Sequence, residues 1–493
     1  MTEPTTRWLF ADQLGPQFLD RPDQRVLLVE SRAVFARRRF HRAKAHLLLS
    51  ALRHRAAELG DQATFVQADT YDQALAQVDG PLSVVQPTSY AADAYVRERD
   101  IAVVADDRGF ATSRADFSGY VTGRKRLLME DFYRWQRHRF DLLMDGAEPA
   151  GGQWNLDHDN REPPPKTATL GAVDPWFPVE DDIDRQVRED LDRWERDGHA
   201  RFVGADGPRW APATADEAEQ ALAHFIEHRL AGFGPSEDAM LGQDPWMSHS
   251  ALSPAINLGL LHPLDVVHAA EGAYRRGSAP LNSVEGFVRQ VIGWREWIWS
   301  IYWHVPPDYR ARNALGARER LPDWFADLDA AGEVTANCLR SVLGDVRDRG
   351  WVHHIPRLMV LGNYAMLRGW DPAQITSWFH ESFVDGYDWV MLPNVTGMSQ
   401  YADGGLMTTK PYAAGGAYIN RMSDYCKPCA YDPKVRVGPT ACPFTAGYWA
   451  FLDRNVEALT GNNRMAQPLA GLRRLADRDA VVAQEAERGT TPP

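Results

Sequence analysis

The first hundred residues alternate between short apolar runs and segments whose apolar positions recur every three or four residues. "RWLFADQL", "RVLLVE", "ATFVQAD", "LSVVQP" and "DIAVVADD" predict five short buried strands. "AKAHLLLSALRHRAAELG" predicts a helix closed by Gly60. Strands alternating with helices predict an α/β domain built on a parallel, doubly wound sheet. Ligands of such sheets bind at the carboxyl ends of the strands, which brings the "ADQLGP" turn after the first strand into view. The turn contains no GxGxxG and no Walker-type loop, so neither a dinucleotide site nor a P-loop has support there.

Further along the pattern changes twice. Residues 145–176, "DGAEPAGGQWNLDHDNREPPPKTATLGAVDPW", are polar and rich in Gly and Pro and read as a long surface connection. From about Asp216, segments such as "DEAEQALAHFIEHRLAGFG", "NSVEGFVRQVIGWREWIWSIYW" and "PAQITSWFHESFVDGYDWV" carry helical periodicity to near the end. The expected division is an α/β domain at 1–130, an interdomain linker at 131–215 and an all-α domain at 216–493.

A chain of 493 residues exceeds one ordinary core, which agrees with more than one domain. The net charge of −13 argues against coating nucleic acid by bulk charge but leaves room for a local groove. The basic run at 32–55, "RAVFARRRFHRAKAHLLLSALRHR", reads as a solvated helix face. No run of about 18 apolar residues could span a membrane. The opening "MTEPTTRWLFADQL" lacks a secretory pattern, so a reducing, cytoplasmic setting is expected.

In that setting clustered cysteines are metal ligands or redox groups more often than disulfides. Cys426 and Cys429 form a CxxC, Cys442 follows, and Cys338 lies far upstream. Structural zinc usually takes two close pairs of ligands. Thiolates gathered from distant points and followed by a "CP" step suit a cubane iron–sulfur cluster better, with zinc and unligated thiols as alternatives. His353 and His354 could supply nitrogen ligands, although such a pair also serves as a hydrogen-bonding element.

Several ordered segments resemble the cryptochrome/photolyase family, in its iron–sulfur bacterial branch that includes (6-4) photolyases. They are "ADQLGP", "SHSALSPAINLGLL", "EGFVRQVIGWREW", "HHIPRLMVLGNYAML", "LPNVTGMSQYADGG", "TKPYAAGGAYINRMSDYCKPC" and "NNRMAQP". The resemblance implies FAD in the helical domain, with Ser250, Leu252 and Ser253 along its phosphates. Gln290, Trp294, Arg295, Arg357, Asp385, Met391 and Asn394 would line the rest of the pocket. An Arg357–Asp385 pair would stand beside the isoalloxazine, the Arg favouring a reduced, anionic ring. His353 and His354 would serve proton transfer at a DNA lesion, with His354 the donor, since imidazole titrates near neutral pH. Tyr412 and Tyr418 would flank the lesion pocket, where a ring can stack on a flipped base.

By the same resemblance, Asp12, Gln13 and Glu30 lie near a 6,7-dimethyl-8-ribityllumazine antenna, Trp378 carries electrons, and the four cysteines hold a 4Fe-4S cluster. Two departures stand out. Met391 occupies a position where relatives place Asn, Asp or Glu near flavin N5, and a thioether is a poor hydrogen-bond partner. A second electron-transfer tryptophan, expected shortly before Cys338, has no counterpart; Trp324 lies further upstream. The implied function is light-dependent repair of UV-damaged DNA, chiefly (6-4) photoproducts, by a monomer found on the nucleoid. A blue-light receptor without repair is the alternative. An iron–sulfur DNA-binding module like a primase subunit would explain the cysteines but not the flavin segments.

Overall fold

The computed structural model describes residues 5–493. All five predicted strands are present: β1 (Thr6–Leu9), β2 (Val26–Ser31), β3 (Ala63–Ala68), β4 (Leu82–Val85) and β5 (Ala102–Ala105). They form one parallel sheet in the order β3-β2-β1-β4-β5. Period two puts alternate residues on opposite faces. Leu27 and Val29 of β2 pack with Trp8, Val66 and Val96 on one face. Val26 and Leu28 pack with Leu47, Ala51 and Leu52 of the helix Arg42–Leu59 on the other. Strand order reverses at β1, so the crevice between the carboxyl ends of β1 and β4 is the switch point. The "ADQLGP" turn opens into it.

The basic run is solvated only in part: Arg37, Arg38 and Arg39 are exposed, whereas the charges of the following helix turn inward. Arg42 is buried among Asp192, Glu195 and Asp206. Arg53 forms a buried pair with Glu30 and Asp190, and His46 reaches the carbonyl of Asp184 at 2.9 Å. Lys44 is 2% exposed. Apart from Glu30, the partners of Arg42, His46 and Arg53 come from segments over a hundred residues away, which helical periodicity cannot reveal.

Residues 131–215 are more than a connection. The helix Met129–Phe140 docks on the helical region, where the Tyr133 hydroxyl meets the Glu285 carbonyl. The helix Asp182–Arg196 packs Val187, Leu191 and Trp194 against Phe35, Phe40 and Leu49. Between them runs an irregular strap with short 3-10 turns and a two-residue hairpin.

The predicted helices of the C-terminal region differ in detail. Arg229 divides the first into Ala215–His228 and Leu230–Ser236, and its guanidinium serves the carbonyls of Met247 and His249. The second is continuous from Leu281 to His304 but widens to a π-helix at Arg289–Arg295. The third stops at Ser382 and resumes at Asp388. Further π stretches occupy Pro356–Gly362 and Leu392–Ser399. Such widening shifts side chains off the regular helical stripe and concentrates at functional sites.

The two regions meet backbone to backbone. Leu14 N donates to Leu258 O at 3.0 Å, and a Cβ on Gly15 would lie 2.0 Å from Gly259 O. Gly259 has φ +71°, and a Cβ there would fall 2.6 Å from Phe18 and 2.9 Å from Asp12 O. Gly259→Ala therefore combines left-handed strain with a steric clash. It should cost about 2 kcal/mol or more, read as a lowered thermal midpoint.

His41 locks the same junction. Its Nδ1 accepts from Ala43 N at 3.0 Å and its Nε2 donates to Arg347 O at 3.0 Å. This fixes a neutral tautomer, and burial pushes the pKa down to about 4. Protonating Nδ1 would set a proton against the Ala43 N–H. The unfolded chain takes up this proton first, so stability is fully present above about pH 6.5 and falls as pH drops toward 4, by up to about 3 kcal/mol. Denaturant titrations at both pH values should show the loss, and His41→Gln should flatten it.

Candidate functional site

Three of the flavin candidates are joined directly. The Arg357 guanidinium donates to both Asp385 oxygens, at 2.8 and 3.0 Å, and the Ser253 hydroxyl donates to Asp385 Oδ2 at 2.6 Å. Asn257 Nδ2 holds the Asp385 carbonyl at 3.1 Å, and Arg357 Nε holds Val352 O at 2.6 Å. Ser253 opens a five-residue helix without capping it, since its hydroxyl is committed to Asp385. Ala251, two residues earlier, sits at φ +55°, a strained backbone of the kind found in ligand-binding turns. Ser250 caps only locally, toward Leu252 N at 3.4 Å, and Leu252 is buried.

The remaining flavin candidates lie on the π stretches, apart from Met391, which ends the short helix before the last of them and is buried. Gln290, Trp294 and Arg295 belong to Arg289–Arg295, Arg357 to Pro356–Gly362 and Asn394 to Leu392–Ser399. Arg295 pairs with the buried Glu296 at 2.9 Å, reaches Gly109 O at 3.1 Å, and lies over Phe110 at 4.1 Å. It is thus a domain-bridging ion rather than a surface one. Gln290 Nε2 donates to Glu237 at 2.5 Å, and burial, reinforced by Asp238, pushes the Glu237 pKa up to about 8. Asn394 Nδ2 turns back on its own helix, to Val390 O. Among these hydrogen bonds none links the Arg289–Arg295 residues to the Arg357–Asp385–Ser253 group.

A second cluster holds three histidines. His249 stacks on His353 with centroids 4.1 Å apart and planes 18° off parallel, while His354 meets His249 edge-on at 5.6 Å. Their ring nitrogens approach within 4.8 Å of one another. A shared metal ion does not fit the two stacked rings, because their in-plane lone pairs run side by side instead of converging. His249 Nε2 and His353 Nδ1 are buried without a partner, and burial holds both rings neutral. His354 is 43% exposed at its side chain, with Asp238 at 4.0 Å from Nε2. Desolvation of the half-buried ring, then the charges of Arg161 and Arg357, push its pKa down to about 4.

Burial raises the Tyr412 and Tyr418 pKa values, with the charges of Asp238 and Arg161 as smaller, opposed contributions. Arg161 and Asp238 were not singled out from the sequence, nor was His249. Arg161 sits in the strap that reads as a plain connection, and the hydroxyls of "SHSALSP" draw attention away from its histidine.

The four cysteines, from two segments far apart in the chain, line one small enclosed cavity with Ile419, Tyr425, Tyr431 and Phe444. Burial raises the Cys338 pKa, and the other three sulfurs add to the rise. Gly416 makes the close approach possible, since a Cβ there would lie 2.7 Å from Cys442 Sγ.

At the sheet crevice, Asp12 accepts from the Thr88 hydroxyl, and Gln13 Nε2 donates to Gln86 O at 3.0 Å. Gln13 Oε1 is buried without a partner. Asp107 closes the crevice, its pKa pushed up to about 7 by burial and by Asp12. Glu30 differs from these two: both its oxygens accept from Arg53 at 2.9 Å. Trp378 and Trp370 flank Phe325 at 4.7 and 4.8 Å, and Trp324 lies 5.9 Å from Trp370. Aromatic rings thus continue from Trp378 toward the segment where the sequence shows no expected tryptophan.

The family described as Deoxyribodipyrimidine photo-lyase-related protein matches residues 7–200. A (6-4) photolyase of Agrobacterium fabrum is 40% identical over 495 residues, covering 95% of each chain. An uncharacterized protein of Acanthamoeba polyphaga mimivirus is 44% identical over 69 residues, which is 14% of this chain and 56% of its own. The fold is similar to the crystal structure of a bacterial class III photolyase from Agrobacterium tumefaciens, with a TM-score of 0.55 at 16% identity, covering 94% of this chain and 98% of that one. With near-complete coverage by sequence and by fold, the chain belongs to the photolyase-related family.

Proposed function

We propose that the protein repairs UV-damaged DNA under light and that its substrate is the (6-4) photoproduct. The observation that carries this reading is the histidine cluster, where His249 stacks on His353 and the partly exposed His354 stands edge-on to it with Asp238 4.0 Å away. It occurs in a chain 40% identical to a (6-4) photolyase along nearly its whole length. A receptor without repair would have no use for a partly exposed imidazole set up as a proton donor.

FAD is the cofactor, and the donor set fits it. Arg357 keeps 18% of its side chain open beside Asp385, hydroxyls stand at Ser250 and Ser253, and Gln290, Trp294, Arg295 and Asn394 lie on two further π stretches. Bound and reduced, FAD supplies an electron to the lesion on absorbing light. The chain's own residues do the rest. Asp385 fixes the Arg357 guanidinium in one orientation, so positive charge stays at the ring edge. Tyr412 and Tyr418 receive the flipped base. His354, held neutral by desolvation and by Arg161 and Arg357, gains proton affinity when a phosphodiester brings negative charge near it, and then donates that proton. His353 and His249 back it with a buried, neutral stack. Met391 presents a thioether where a hydrogen-bond partner is common, and Trp378 begins the route by which electrons reach the site.

The four cysteines hold a 4Fe-4S cluster. Four thiols from distant points of the chain line one small enclosed cavity, a ligand set that suits a cubane better than the two close pairs usual for structural zinc. The ribityllumazine antenna fits the crevice at Asp12 and Gln13, whose orphaned Oε1 calls for a polar heterocycle. Glu30 acts there through Arg53, by fixing the helix beside the crevice. Among the described residues no helix is long and apolar enough to cross a membrane, and the protein acts on the nucleoid as a monomer.

Blue light should let the reduced protein restore an oligonucleotide carrying one (6-4) photoproduct. His354→Ala should lower turnover at least about a hundredfold with FAD retained, the scale of a lost acid–base group. An unchanged lesion, assayed by chromatography, would end the repair reading. Cys442→Ser should remove the broad absorption near about 400 nm given by thiolate-bound iron, and iron analysis should fall with it. A zinc-containing, colourless cysteine site would refute the cluster.

A further inference from the structure

Lys44 lies outside every motif that points to the flavin, yet it ends at the flavin loop. It belongs to the helix Arg42–Leu59 of the α/β region, and its side chain crosses into the helical region. Its Nζ donates to His380 O at 2.6 Å and to Gly386 O. The first of these carbonyls belongs to the last turn of the helix Pro372–Ser382, whose C-cap, Phe383, makes no backbone cap bond. Unpaired carbonyls at a helix end attract a cation.

The turn that follows is folded tightly. A Cβ on Gly386 would fall 2.8 Å from Phe379 O and 2.9 Å from both His380 O and Phe383 O, so several carbonyls crowd into one small volume. The Lys44 ammonium offsets that crowding from below. Phe40 and Tyr387 cover it, with ring centroids 4.8 and 5.6 Å from Nζ. Asp385 is the residue immediately before Gly386, and its carboxylate faces Arg357 and Ser253. Burial pushes the Lys44 pKa down to about 7, opposed by Asp385 and Glu381 and reinforced by Arg38. The cation is therefore desolvated and held by carbonyl dipoles rather than by a direct ion pair.

We infer that Lys44 is a positioning residue for the flavin site: by tying His380 O and Gly386 O together it sets the turn that presents Asp385 to Arg357 and Ser253. This rests on the reading that the Arg357–Asp385 group borders FAD. It gives the α/β region a direct part in cofactor binding, through a side chain that touches neither cofactor nor substrate.

The test reconstitutes FAD-free wild type, Lys44→Met and Lys44→Arg with FAD. Binding is followed by quenching of flavin fluorescence, and immobilisation by the fine structure of the long-wavelength flavin band. Lys44→Met should raise the FAD Kd about tenfold and blur the fine structure. Lys44→Arg, which keeps a cationic donor, should bind within about threefold of wild type. Unchanged binding by Lys44→Met overturns the inference. So does equal weakening by both variants with an equal fall in the thermal midpoint of the FAD-free proteins, which marks plain packing. Should Lys44→Met not fold, Lys44→Gln, a shorter neutral donor, is read against the same two outcomes. Wild type that binds no FAD would instead overturn the flavin reading itself.

Discussion

The contact between Gly15 and Gly259 sets the distance on which the rest of the molecule depends. Each glycine lies where the other region's backbone would meet a side chain. The hydrogen bond from Leu14 N to Leu258 O then joins the turn after β1 to the segment that follows "SHSALSP". Asp12 and Gln13 lie just before this contact, and Ser253 and Asn257 just before its counterpart. The sheet crevice and the Arg357–Asp385–Ser253 group are therefore positioned by one junction. Side chains of ordinary size would separate them by a further layer of packing, about the width of a methyl group or more.

Buried charge reinforces that junction. Arg42, Lys44 and Arg53 all leave the helix Arg42–Leu59 inward, toward acids of the helix Asp182–Arg196, Glu30 of β2 and carbonyls of the flavin turn. Buried pairs of this kind add little net stability, because desolvating each ion offsets most of the Coulomb attraction. What they impose is geometry, since removing one partner leaves an uncompensated charge. The helix therefore has one favourable seat between sheet, strap and flavin turn. Arg295 does the same from the other side, holding Gly109 O and Glu296 while Glu296 accepts from Ala111 N and Thr112 N.

The sheet was legible because β1 to β5 are short, apolar and separated by turn residues, and alternate burial follows from the strand itself. Helix Arg42–Leu59 was legible to its last residue, Gly60. The basic run was partly misread because a helical stripe reports spacing, not partners, and those of Arg42 and Arg53 lie at Asp190, Asp192, Glu195 and Asp206. The π stretches were invisible for a related reason. A five-residue ring repeats apolar positions closely enough to three and four that "VRQVIGW" and "LPNVTGM" look like ordinary helix. At the site, the Arg357–Asp385 pair was reached through resemblance alone, since the 27 residues between them carry no local pattern. Arg161 and Asp238 escaped both routes, because a lone charge in a strap or beside a second acid has many ordinary uses.

The cysteine cavity bears on the lesion side through Gly416. That glycine stands between Tyr412 and Tyr418 on one side of the chain and the cavity on the other. Its N–H donates to Thr445 Oγ1 at 3.1 Å, and Cys442 Sγ occupies the space its side chain would need. Ser423 and Tyr425 continue the segment into the cavity wall, where Asn337, next to Cys338, holds Tyr425 O at 2.9 Å. The two tyrosines are thus carried by a segment clamped at three points to the cysteine-bearing elements. Burial disfavours charge on the thiols, and each neighbouring sulfur disfavours it further. The cavity therefore bears on Tyr412 and Tyr418 through the backbone that runs between them, at Gly416.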